Sequence, residues 1–168
     1  MDGTQGKIDG AAMLSQVQAW SAINTGTANL AGLAEQAAAL ARAFSARPGA
    51  VALVDPAPVT AIAADGSAYD KPHGQHLVVR VRPEANRRIL LTGHMDTVFP
   101  ADQPFQRQTW LDAETLNGPG VADMKGGIAV MLHALMAFEA TPGASALGYD
   151  VLMNSVEETG SLASAGLI

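Results

Sequence analysis

The side chains best suited to acid–base or metal chemistry gather in three short segments. They are His94 and Asp96 in Leu90-Leu91-Thr92-Gly93-His94-Met95-Asp96-Thr97, Asp123 in Asn117-Gly118-Pro119-Gly120-Val121-Ala122-Asp123-Met124-Lys125-Gly126-Gly127, and Glu157 and Glu158 in Val151-Leu152-Met153-Asn154-Ser155-Val156-Glu157-Glu158-Thr159-Gly160-Ser161. Each segment follows a predicted strand, and open α/β sheets bind ligands outside the carboxyl ends of their strands. In extended backbone, residues two apart point the same way. Asp96 can therefore sit beside His94 and accept its second ring N–H, which orients an imidazole ligand and makes it more basic. Otherwise the pair is a polar strand end. Gly118 and Gly120 begin a G-x-G pattern, but Asp123 stands where a dinucleotide loop has its third glycine, and its carboxylate would repel a pyrophosphate at a helix N-terminus. Lys125 is followed by Gly126 rather than Ser or Thr, so no Walker loop is present. Without a metal, Asp123 reads as an anionic residue favoured by the helix dipole. Adjacent Glu157 and Glu158 repel each other and point into water unless a cation lies between or beside them. Beside a metal they can divide the work, one coordinating and the other taking a proton from water.

No cysteine occurs in the 168 residues, so thiolate sites, disulfides and cysteine nucleophiles are excluded and any metal rests on His, Asp and Glu. Ten Lys and Arg against sixteen Asp and Glu give a net charge of −6, the wrong sign for neutralising phosphates, so nucleic acid is not an expected partner. With 48% hydrophobic and 15% charged residues, the chain suits one domain or a piece of one. Its longest helix-like apolar region, Ile128 to Phe138, is interrupted by His133 and falls short of a membrane span, so no membrane is expected. The polar, glycine-containing start after Met1 lacks the apolar core of a secretory signal, and a cytoplasmic location is the expectation.

The elements that must position these residues follow from periodicity and turn chemistry. Met13, Leu14, Val17, Trp20 and Ile23 at helical spacing predict a helix from Ala11 to Ile23, ended by Asn24-Thr25-Gly26-Thr27. Asn29 caps a predicted second helix, Leu30 to Ser45, with Leu30, Leu33, Ala37, Leu40 and Phe44 on one stripe and Arg47-Pro48-Gly49 beyond it. Strands are predicted over Val51 to Val54, Val59 to Ala63, Leu77 to Val81 and Ile89 to Thr92. Leu77 to Arg82 alternates as a half-exposed strand, and the continuous Ile89-Leu90-Leu91 run reads as the more central one. Gln106 to Trp110 and Glu114 to Asn117 form a hairpin around Asp112-Ala113, and Met124 to Glu139 is a helix with Ile128, Met131, Leu132, Leu135 and Phe138 on one face. Tyr149 to Met153 is a strand, and Ser161 to Ile168 begins a last helix. Strands alternating with helices predict an α/β fold around a partly parallel sheet. Elsewhere, His133 is expected to pack on its helix, His73 and His76 to lie in a turn, and Arg80, Arg82, Arg87 and Arg88 to solvate an edge strand.

Together, Gly93-His94-Met95-Asp96-Thr97-Val98, Gly118-Pro119-Gly120-Val121-Ala122-Asp123-Met124-Lys125-Gly126-Gly127 and Glu157-Glu158-Thr159-Gly160-Ser161 resemble, in order and spacing, the co-catalytic zinc aminoacylase and carboxypeptidase superfamily. That superfamily also holds acetylornithine deacetylase and succinyl-diaminopimelate desuccinylase, and the quoted stretches are most similar to its glutamate carboxypeptidase branch. The resemblance runs from the first helix and Ile23-Asn24-Thr25-Gly26 to the last residue. It implies a three-layer αβα catalytic domain with a mixed, partly parallel sheet. Residues 1–168 would be its N-terminal portion, incomplete and inactive alone, because the family needs two further ligands and a lid or dimerisation domain. It also implies two Zn²⁺ ions per site, replaceable by Co²⁺ or Mn²⁺, with His94 on one ion, Asp123 bridging and Glu158 on the other. Glu157 would be the general acid/base, Asp96 would orient His94, and the Asp123-Met124 peptide would be cis. The implied reaction is hydrolysis of the amide bond of an N-acyl amino acid or small peptide by a zinc-activated water, in a homodimeric parent. The alternatives are a non-catalytic interaction module on the same fold and an aminopeptidase with a related metal pair, which differ in ligand completeness and in the substrate terminus required.

Overall fold

The computed structural model describes residues 8–168. Helix α1 (Gly10–Ser21) is opened by Asp9, whose carboxylate accepts the Ala11 and Ala12 N–H groups, and α2 (Leu30–Ser45) is capped by Asn29, which accepts from the Gly32 N–H. The bounds of α2 are those its cap and stripe predict. The strands are β1 (Ala50–Val54), β2 (Thr60–Ile62), β3 (Ala68–Asp70), β4 (His76–Val81), β5 (Arg88–His94), β6 (Thr109–Trp110), β7 (Leu116–Asn117) and β8 (Gly148–Asn154); α3 (Gly126–Glu139) lies between the last two. β6 and β7 make the expected hairpin, its turn held by Asp112 accepting from the Glu114 N–H and the Thr115 hydroxyl.

The main sheet has the order β1-β4-β8-β5. β8 runs antiparallel to β4 and parallel to β5, so the sheet is mixed. Register sets Leu77 beside Met153, Val79 beside Val151 and Val81 beside Tyr149 on one face. These residues join Leu33, Leu40 and Phe44 of α2, Trp20 of α1 and Ile128, Leu132 and Leu135 of α3 in a single buried core. All three α-helices therefore cover the same face. The opposite face carries no α-helix among the described residues; Ala52, Val78 and Leu90 share a cavity there with Gly166, Leu167 and Ile168, and Thr92 and Leu152 one with Ser161, Ser164 and Ala165.

Four expectations about the elements change. β5 lies at the edge and β4 inside, the reverse of the periodicity argument, and Ile89 and Leu90 are 45% and 47% exposed. A continuous apolar run reports burial on two faces but not how many neighbours the strand has. The arginines do not line one solvated edge strand: Arg80 lies on the interior strand β4, Arg82 pairs with Glu139 at the end of α3 and donates Nε to the Leu147 carbonyl at 2.7 Å, and Arg88, on the edge strand β5, pairs with Asp150. Ser161 to Ile168 forms turns with a short 3₁₀ stretch, Ala165–Leu167, instead of an α-helix. The Ala163 carbonyl, which an α-helix would offer to Leu167, accepts the Ala57 N–H at 2.8 Å instead. Finally, regular helix begins at Gly126, after an irregular turn, Val121–Lys125, in which Asp123 is extended (φ −121°, ψ 100°) and the Asp123-Met124 peptide is cis. Turn and helix together, Val121–Glu139, reach the length and apolarity of a membrane span by composition alone, unlike the shorter run read from the sequence. Here Ile128, Ala129, Leu132 and Leu135 of that segment are core residues.

The Arg82 guanidinium holds the Glu139 carboxyl below its ordinary value of 4.5. A depressed carboxyl adds stability above its unfolded pKa that disappears as pH falls through the folded value. Glu139→Gln is expected to lower the unfolding free energy by about 1–3 kcal/mol at pH 7. The gap from the parent should close as pH falls below 4.5, as read from urea unfolding across that range.

Candidate metal centre

The parallel register pairs Gly93 with Met153 and His94 with Asn154, so β5 and β8 finish at the same edge of the sheet. His94 is the last residue of β5 and is 6% exposed. Past β8, Ser155 and Val156 lead into the 3₁₀ turn Glu157–Thr159. One ligand atom each from His94, Glu157 and Glu158 lie within 4.8 Å of one another. Asp123 arrives from the irregular turn before α3 and places Oδ1 2.9 Å from His94 Nε2, while staying 77% exposed. Four residues from three distant segments thus converge, with Asp123 touching His94 but outside the three-residue group.

Asp96, the fifth predicted residue, is fully buried beneath them. Its Oδ1 accepts the Glu157 N–H at 3.1 Å, and its Oδ2 accepts the Glu158 N–H at 3.2 Å and the Thr27 hydroxyl at 2.9 Å. Two-residue spacing suggests that this carboxylate takes the His94 ring proton. Instead, His94 Nδ1 is 3.1 Å from the Asp96 backbone carbonyl and 3.4 Å from Oδ1, so the carbonyl is the nearer acceptor. The carboxylate mainly holds the backbone of the Glu157–Glu158 turn. Strand-like contacts flank it: the Met95 N–H donates to the Asn154 carbonyl at 2.7 Å, and the Thr97 N–H to the Thr25 carbonyl at 2.9 Å.

Four carboxylates around one imidazole leave a surplus of negative charge. Burial pushes the His94 pKa down, but the Asp96 and Asp123 carboxylates outweigh it and hold the ring at about 9. Glu158 is pushed up by burial and by the neighbouring Asp123, Asp96 and Glu157 carboxylates, against the opposing pull of His94. Convergent oxygen and imidazole donors with uncompensated negative charge fit a divalent cation of the zinc type.

Several residues around the site escaped the sequence argument. Lys125 is buried, and its Nζ donates to the Trp20 and Ile23 carbonyls at 3.0 and 2.8 Å. Burial draws its pKa down to about 8. It supplies a cation to the end of α1, which has no basic residue in its own last turn. Asn24 ties the loop after α1 to the Phe99 carbonyl at 2.9 Å and to Gln106 Oε1 at 2.7 Å. His76, expected in a turn, is the fully buried first residue of β4. His133 packs as expected, its Nε2 2.8 Å from Gln16 Oε1.

This is the fold of zinc-peptidase catalytic domains. Human carnosine dipeptidase 1 superposes with a TM-score of 0.71 over 94% of this chain and 34% of its own, at 22% identity. The dipeptidase Dug1p of Saccharomyces cerevisiae gives 0.72 over the same shares, at 18% identity. Residues 90–168 match the model of peptidase family M20/M25/M40. Carboxypeptidase G2 of Pseudomonas sp. strain RS-16 is 35% identical over 99 residues, which are 56% of this chain and 23% of that protein. Succinyl-diaminopimelate desuccinylase of Novosphingobium aromaticivorans is 35% identical over 82 residues, 46% of this chain and 21% of that protein. The chain thus spans under a quarter of the length of either relative.

An amide at position 96 offers a single acceptor oxygen to three donors. Asp96→Asn is therefore expected to cost about 1–3 kcal/mol in urea unfolding, because a buried donor loses its partner. Thr27→Val removes one bond together with its donor and is expected to cost less than about 1.5 kcal/mol. An Asp96→Asn cost no larger than that of Thr27→Val would contradict the role given to this carboxylate.

Proposed function

We propose that residues 1–168 contribute the N-terminal portion of the catalytic domain of a metal-dependent amide hydrolase acting on N-acyl amino acids or small peptides. The observation that carries this reading is the convergence of His94, Glu157 and Glu158 within 4.8 Å, with Asp123 against His94, at the carboxyl ends of two parallel strands. The names of the relatives, a carboxypeptidase and a desuccinylase, support amide cleavage as the reaction class. In this reading His94, Asp123 and Glu158 would hold the metal, zinc by the chemistry of the donor set. Zinc supplies Lewis acidity, which near neutral pH makes water a stronger acid and a carbonyl a better electrophile.

The chain's own groups do the rest. The Glu157 side chain is 52% exposed, and it accepts the proton of the attacking water and returns it to the departing amine nitrogen. Glu158 is more enclosed and suits coordination. Asp96 keeps the backbone of both glutamates and the His94 ring in place, so the donors need no rearrangement as charge develops. A cleft lined by Thr27, Thr97, Val98, Pro100, Ala101 and Glu158 opens beside the pair and offers a mostly apolar wall to the substrate.

Three ligand side chains cannot complete the two four-coordinate zinc ions that the resemblance implies, so further ligands are required. The 168-residue polypeptide with added zinc is expected to bind the metal and to leave N-acyl amino acids uncleaved. In chelator competition, Glu158→Gln should weaken zinc binding by about 10-fold or more, while Glu157→Gln stays near the parent. In the intact enzyme Glu157→Gln should lower kcat by about 100-fold or more. The reverse pattern would exchange the ligand and base roles. Absence of zinc binding by the unaltered chain would overturn the metal-centre reading.

A further inference from the structure

His76 is fully buried at the start of β4, and a buried imidazole must satisfy both ring nitrogens. Nε2 lies 3.2 Å from the Ala163 carbonyl, an acceptor, so Nε2 carries the hydrogen. Nδ1 is then a lone pair, and it accepts the Ser155 N–H at 3.2 Å. The Ser155 hydroxyl is also 3.2 Å from Nδ1, but its single hydrogen goes to the Gly74 carbonyl at 2.6 Å. Burial keeps His76 below its ordinary pKa, which preserves the neutral ring with one donor and one acceptor.

These contacts join segments on two sides of the metal centre. Ser155 ends the β8 exit, two residues before Glu157. Ala163 belongs to the turns whose Ser161, Ser164 and Ala165 face Thr92, His94 and Glu157 across a small pocket. The Glu157–Glu158 turn is gripped from beneath by Asp96 and from its N-terminal side through Ser155. His76 touches none of the proposed metal ligands, so any influence on them must pass through this backbone.

We propose that His76 is a positioning residue for the Glu157–Glu158 turn, which it holds through the bond from the Ser155 N–H to its Nδ1, while the Nε2–H bond to the Ala163 carbonyl fixes the tautomer that leaves Nδ1 free to accept. The geometry stands without a metal; only the consequence for zinc rests on the function proposed above.

The test compares His76→Leu, His76→Asn and His76→Gln in the full 168-residue chain by amide hydrogen exchange and by zinc competition. Asn can present an acceptor near the Nδ1 position, and Gln a donor near Nε2. In His76→Leu, exchange of the Glu157 and Glu158 amides should accelerate by about 10-fold or more relative to the core amides of Val79 and Val151. Zinc affinity should fall by about 10-fold. His76→Asn keeps the Ser155 contact and should hold both quantities within about threefold of the parent, while His76→Gln follows His76→Leu. A purely structural histidine would change all amides together and leave zinc affinity unmoved at temperatures where the variant is folded. Unchanged relative exchange in His76→Leu, or equal loss in Asn and Gln, overturns the proposal. Should His76→Leu fail to fold, the Asn and Gln contrast decides. Should the parent bind no zinc, the metal-centre reading fails, and the exchange measurement still decides the role of His76.

Discussion

The Asp96 carboxylate is the constraint on which the site depends. A buried carboxylate is costly unless its oxygens are hydrogen-bonded, and here they accept from two backbone amides beyond β8 and one hydroxyl of the loop before α2. The cost of burial is thereby turned into a restraint. Each donor must stay where it is or leave a buried oxygen without a partner, so two loops that share no regular secondary structure are held as one unit. The same residue's carbonyl faces the His94 ring. One residue therefore fixes the imidazole and both glutamates together.

That restraint works only because β5 and β8 are parallel neighbours. Antiparallel partners would send their carboxyl ends to opposite edges, whereas a parallel pair needs a long crossover and delivers both ends to one edge. The crossover carries Asp123 and α3, which places a further carboxylate at that edge on the way past. Gly93 makes the approach possible: a Cβ there would meet Met124 Cε at 3.0 Å and Met153 Sδ at 3.1 Å, and the Met124 sulfur lies 3.3 Å from the His94 nitrogen. The irregular backbone then separates opposite charges that are close in sequence, exposing Asp123 towards His94 while Lys125 turns inward to the end of α1.

Much of this was legible in the residues. Asn29 and the Leu33, Ala37, Leu40, Phe44 stripe set α2 because capping and helical periodicity are local. The convergence of His94, Asp123, Glu157 and Glu158 was legible for a related reason: imidazole and carboxylates placed after apolar strands have few uses other than solvation or coordination. The spacing of His94 and Asp96 put them side by side, although not with the hydrogen bond it suggested.

The sequence by itself determined the first two helices, most strands of the main sheet and the acid–base inventory that follows them, since each depends on neighbours within a few residues. Tertiary structure decided what depended on distant partners. The position of β5 at the edge follows from which strands pair, the loss of the last helix from the capture of the Ala163 carbonyl by Ala57, and the anchoring of Arg82 from Glu139. His76 shows the distinction most clearly. Among Lys71, Pro72 and Gly74 it looks like a turn residue, yet its burial and its neutral tautomer are set by Ser155 and Ala163, 79 and 87 positions away. A hydrogen bond is specified by where its partner stands, and across such separations only the folded chain specifies that.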